Sequence, residues 1–131
     1  MAEAQDIAEW LAGVLDEDER VAIELGGRRW YADRGFVAAD IGIVATGPQE
    51  DLTAAEADHI ARHSPASVLA DIAAKRQIIN MYRDSTSEPV NPPDIEDRER
   101  MEAEAGILEE VITSTAAAYS HRPGYRTEWR P

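Results

Sequence analysis

The spacing of apolar side chains changes period along this chain, and that change limits the possible folds more than any other feature. From Ala4 to Leu25 the period is helical. Ile7, Trp10, Leu11, Val14 and Leu15 recur at steps of three and four, and Val21, Ala22 and Leu25 resume the stripe. Between residues 28 and 47 the period drops to two, through Trp30 and Ala32, then Phe36 and Ala38, then Ile41, Ile43 and Ala45. From Thr53 onward it is helical again. About four helices, with a small antiparallel sheet of two or three strands between the first and second, make an α-rich α+β fold. So small a sheet cannot stand alone and has to pack on helices.

Start and stop signals divide the pattern. Gly26-Gly27 ends the first helix, because glycine takes the left-handed C-terminal position without strain. Within that helix Asp16 and Arg20 stand four apart and are expected to pair. The acidic run Asp16 to Glu19 is also a point where the helix can break, since adjacent acids repel. Asp33-Arg34-Gly35 and Asp40-Ile41-Gly42 read as turns, and Gly47-Pro48 closes the sheet region. Thr53-Ala54-Ala55-Glu56 is a capping box that starts the second helix, whose narrow apolar face is Ala57, Ile60 and Ala61.

Ser64-Pro65 starts a third helix to about Tyr82. Val68, Leu69, Ile72, Ile79 and Tyr82 are expected on one side of it, with Lys75 and Arg76 on the other. Residues 84–93 read as an exposed, proline-rich loop. Asp94 caps a fourth helix to about Tyr119, in which Met101, Ala105, Leu108, Ile112, Ala116 and Tyr119 form a strip facing the core or a second copy. Residues 120–131 hold Gly124, two prolines, Tyr125 and Trp129, and read as an irregular aromatic tail lying back on the body. The whole length, 1–131, suits a single domain.

Charge narrows the function. Thirteen basic and twenty-six acidic side chains give a net charge of −13, which repels nucleic acid and anionic lipid. The acid is concentrated: residues 1–25 and 84–111 are strongly negative, while 26–49, 63–83 and 112–131 are slightly positive. Two solvated helix faces account for this, and a surface that meets a basic partner is the sharper reading. No apolar run is long enough to span a bilayer. The acidic N-terminus does not read as a secretory signal. These features point to a cytoplasmic protein, in a bacterial or host cell, and are compatible with a virion. The absence of cysteine excludes disulfides, thiolate metal sites and a cysteine nucleophile.

Few constellations could carry chemistry. Glu56, His59 and His63 have metal-ligand spacing on one continuous helix, but Ser64-Pro65 implies that the helix ends near Arg62 and that His63 leaves that face. Asp16 to Glu19 lack the glycine pattern of a calcium loop. There is no nucleophile elbow, phosphate loop or dinucleotide fingerprint, and no serine has an evident base. Arg28, Arg29 and Arg34 flank Trp30, where they could bind an anion, and are expected instead to offset nearby acids. The reading is therefore not an enzyme, with no cofactor and no favoured metal.

Residues 56–79, EADHIARHSPASVLADIAAKRQII, and the closing YSHRPGYRTEWRP, residues 119–131, resemble the motifs of a family of small uncharacterised proteins of actinobacteria and their phages. Trp30 ahead of a short strand region fits the same resemblance. It implies an actinobacterial or actinophage origin, and the composition, with twelve arginines to one lysine, agrees with a GC-rich genome. It carries no reaction with it. Members often have Asp at the position of Ser64 and Arg at that of Ser67, and many carry Cys and His where this chain has its proline-rich loop. Physically, the first motif is helix, two-residue break, helix. His59, Arg62 and His63 stand at that corner, and Tyr125 and Trp129 are expected to cover it as the tail packs on the second and third helices. The resulting expectation is a non-enzymatic protein-binding or assembly module that docks on another protein or on itself. The alternatives are an acidic decoy for a nucleic-acid-binding host factor and a small metal-dependent enzyme using Glu56, His59 and His63.

Overall fold

The computed structural model describes residues 2–40, 42–47 and 51–131, with side chains from Ile7 onward. Four helices and a three-stranded antiparallel sheet follow in the expected order: α1 (Ala2–Glu24), β1 (Tyr31–Asp33), β2 (Phe36–Ala39), β3 (Gly42–Thr46), α2 (Ala54–Arg62), α3 (Pro65–Thr86) and α4 (Ile95–Ala117). The sheet lies between α1 and α2 in sequence, with strand order β1-β2-β3. No described helix is long and apolar enough to cross a membrane. Two compact units emerge. The first joins residues up to Asp16 with Ala74–Pro131, and the second is Glu17–Ala73. Both α1 and α3 contribute a part to each unit.

The first unit holds most of the large buried side chains. Ile7, Leu11 and Leu15 of α1, Ile79 and Tyr82 of α3, and Ile112 of α4 are fully enclosed. α4 begins where Asp94 accepts the Asp97 amide at 2.7 Å, and its strip from Met101 to Tyr119 is nowhere exposed. α3 runs one turn past Tyr82, so the exposed connection narrows to residues 87–93. Burial, with the Glu109 carboxylate adding to it, holds the Tyr82 phenol above its ordinary pKa.

Lys75 and Arg76 correct the expected division of α3. They follow Ile72 by three and four residues and precede Ile79 by four and three, so they share its inner face and are half-buried. Lys75 donates to the Tyr119 hydroxyl at 2.6 Å, and Arg76 pairs with Asp16 at 2.8 Å. Asp16 is thus engaged with Arg76. Arg20, expected to pair with it, bonds Glu17 and Glu24 at 2.6 and 3.0 Å. The helix stays unbroken across this acidic run.

The second unit is built on small residues. α1 ends in a Schellman motif: the Gly27 amide reaches the Ala22 carbonyl and the Gly26 amide that of Ile23, both glycines having positive φ. A two-residue turn, Arg34-Gly35, joins β1 to β2. A Cβ on Gly35 would overlap the Asp51 side chain, so glycine is required there. Val37, Ala38 and Ala39 are all buried, which is not the expected alternation, and Ala32 and Ile43, placed with the alternating set, are exposed. The physical reason is that β2 is the central strand and is buried on both faces, while the register between β2 and β3 slips at Val37/Ala38. The Ile41 position of the alternation, and Pro48 of the closing dipeptide, lie outside the described residues.

Candidate functional site

The α2–α3 corner forms as its sequence dictates. The Thr53 hydroxyl accepts the Glu56 amide at 3.1 Å and the Glu56 carboxylate accepts the Thr53 amide at 2.9 Å, a complete capping box. The Thr53 amide, and then its hydroxyl, hold the Glu56 carboxyl below the usual carboxylate range. α2 stops at Arg62, and His63 and Ser64 make the break before Pro65. Ser64 is buried and its hydroxyl accepts the Ser67 amide. The carbonyl of Arg28 takes the Ala66 amide at 3.0 Å, which ties the segment leaving α1 to the first turn of α3.

That tie brings three stretches of the second unit around one cleft of about 270 Å³. Val21 and Ala22 come from the last turn of α1, Leu25 and Trp30 from the segment that follows, and Pro65 and Val68 from the start of α3. Asp18 and His63 supply its polar groups. The His63 ring stacks at a tilt on His59, 4.5 Å between centroids. Its Nδ1 lies 2.7 Å from the His59 carbonyl oxygen. A carbonyl only accepts, so Nδ1 carries the proton, and in the neutral ring Nε2 is left as an acceptor.

Of the residues singled out from sequence, His59, Arg62 and His63 are exposed at the corner, and His63 lines the cleft. Tyr125 and Trp129, expected to cover that corner, are engaged in the first unit. Both rings lie against Trp10, at 5.4 and 5.6 Å between centroids. The Trp10 indole donates to the Pro123 carbonyl at 2.9 Å. A short 3₁₀ turn, Thr127–Trp129, ends the tail, and Trp129 is only 5% exposed. The tail thus does lie back on the body, with Trp10 as its partner. Glu56 is committed to its cap and His63 to the His59 carbonyl, and no group of three metal-ligating side chains occurs among the described residues. Sequence reasoning missed the joint role of Val21, Leu25, Trp30 and Val68. The available signal was the pair of glycines that turns the chain so that Trp30 follows the helix end.

A larger hollow, about 490 Å³, lies in the first unit between the 87–93 connection and α4, lined by Pro89, Val90, Pro92, Pro93, Arg98 and Met101 among others. Val90 in its lining is almost wholly exposed, so this is open surface rather than an enclosed site.

Over residues 4–131 the sequence matches the Family of unknown function (DUF6221). The chain belongs to this family. Comparison with curated proteins finds no match, and comparison with solved structures finds none either. Membership spans both units, the corner and the tail alike. It assigns no reaction to any of them.

Proposed function

We propose that this chain is a non-enzymatic protein-binding module, from an actinobacterial phage or integrated element, that takes one apolar anchor side chain of a partner protein into the Trp30 cleft. The cleft's lining is the observation that supports this: six apolar side chains with two polar groups, Asp18 and His63, in a volume of about 270 Å³. That is below the roughly 300 Å³ at which small-molecule sites begin, and it suits a single large side chain. Burying such an anchor contributes about 2 kcal/mol before further contacts form. The resemblance of residues 56–79 and 119–131 supports the origin. An acidic decoy is the second reading. It is favoured by Glu96, Glu99, Glu102, Glu109 and Glu110, all exposed and within an arc of about 140° on α4.

The test is affinity capture from an actinobacterial lysate with the wild-type chain and with Leu25→Asp, a residue 52% exposed. A protein retained by the wild type and lost by the variant, with the melting temperature unchanged, is the expected result. Equal capture by both refutes the cleft. Capture that survives the variant but disappears in high salt favours the decoy.

A further inference from the structure

We propose that β3 is a pairing edge through which two copies of this chain associate. The sheet has two outer strands. β1 is packed under α2, whereas β3 lacks comparable cover, and Ile43 and Val44 on it are 66% and 40% exposed. Among the described residues no backbone hydrogen bond outside the ladder involves Gly42 to Thr46. Among the described residues the outer row of N–H and C=O groups is therefore open to another strand.

Proteins twist such an edge away with a bulge, or block it outright with charge or proline. Here Gly-Ile-Val-Ala-Thr has neither charge nor proline, and no charged residue occurs from 41 to 49, in a sequence that is 30% charged. Asp40, just before the strand, is paired with Arg28.

Charge selects the occupant. Two copies at −13 each repel wherever their acidic helices meet, and β3 is a place where they can touch without opposing charges of one sign. A basic partner would gain nothing from a neutral strand. An antiparallel edge is self-complementary: a two-fold axis sets each donor of one copy against an acceptor of the other. The register slip leaves Val44 opposite no β2 residue, since Val37 faces Ala45 and Ala38 faces Ile43. A bulge of that kind twists the edge and shortens the ladder, so the dimer is weak and concentration-dependent.

Sedimentation velocity from about 5 to about 500 µM provides the test. The mass is expected to rise from one 14.4 kDa chain toward two. Ile43→Lys, a change at an exposed position, should keep the circular dichroism spectrum and melting temperature yet sediment as one chain throughout. A wild type that stays a single chain over the whole range overturns the proposal, whether or not β3 accepts an added peptide strand. So does Ile43→Lys dimerising like the wild type. Because the protein has no cysteine, one introduced thiol gives a second reading. Val44→Cys should cross-link under mild oxidation several-fold faster than Ile107→Cys, an α4 position 62% exposed. Equal rates would overturn the pairing as surely as a monomer.

Discussion

The two units spend their apolar side chains differently. In the first, Ile7, Leu11, Leu15, Ile79, Tyr82 and Ile112 are fully buried, and even the tail turns Trp129 inward. In the second, the buried set is mostly alanine with Val37 and Ile72, while Val21, Ile23, Leu25, Tyr31, Ile43 and Val44 remain exposed. The first unit has exposed residues of its own, such as Ile107 and Val111, but they leave its large core intact. The difference teaches that burial in the first unit serves stability. The second holds together on caps, glycine turns and small residues, and leaves its larger side chains exposed.

The largest expected effect is Trp129→Ala, which removes an aromatic side chain enclosed by Trp10 and Tyr125. It should destabilise the fold by about 3–5 kcal/mol in urea unfolding. Val37→Ala, the most buried large residue of the sheet, should cost about 2 kcal/mol. If it cost more than Trp129→Ala, the contrast between the units would fail. Gly124→Ala should cost about 1–3 kcal/mol. Its φ is +90°, and a Cβ there would sit 2.8 Å from the Trp10 indole nitrogen. An unchanged unfolding midpoint would show that the tail is not seated on Trp10.

The smallest effect concerns pH. The ionised Glu56 carboxylate is the form bonded in the cap, and its folded pKa is depressed. Its contribution is present above the unfolded carboxyl pKa and is lost as pH falls through the lower folded value. Glu56→Gln, which keeps an acceptor for the Thr53 amide, should flatten that part of the acid melting profile. Identical profiles would remove the carboxylate from the account of α2.

Most of the architecture was legible because local signals agreed: Thr53 with Glu56, Ser64 with Pro65, Asp94, and the paired glycines each start or stop a helix where the periodicity changes. Long-range choices were not. Nothing near Asp16 announces Arg76, sixty residues away, and nothing in the tail names Trp10 as its seat. The strand period assumed one wet face, whereas β2 is buried on both. At the site, His63 was legible as a corner residue, but the cleft needs the α1 end, Trp30 and Val68 to converge. The bond from the Ala66 amide to the Arg28 carbonyl, between residues 38 positions apart, ties two of these stretches together.

The central claim is that the second unit carries the binding surface, and an amide NMR titration with indole as an aromatic probe tests it most directly. Saturable shifts should concentrate at Val21, Leu25, Trp30, His63 and Val68. Shifts that instead gather on α4 around Met101 and Ile107, with the cleft residues unmoved, would contradict it.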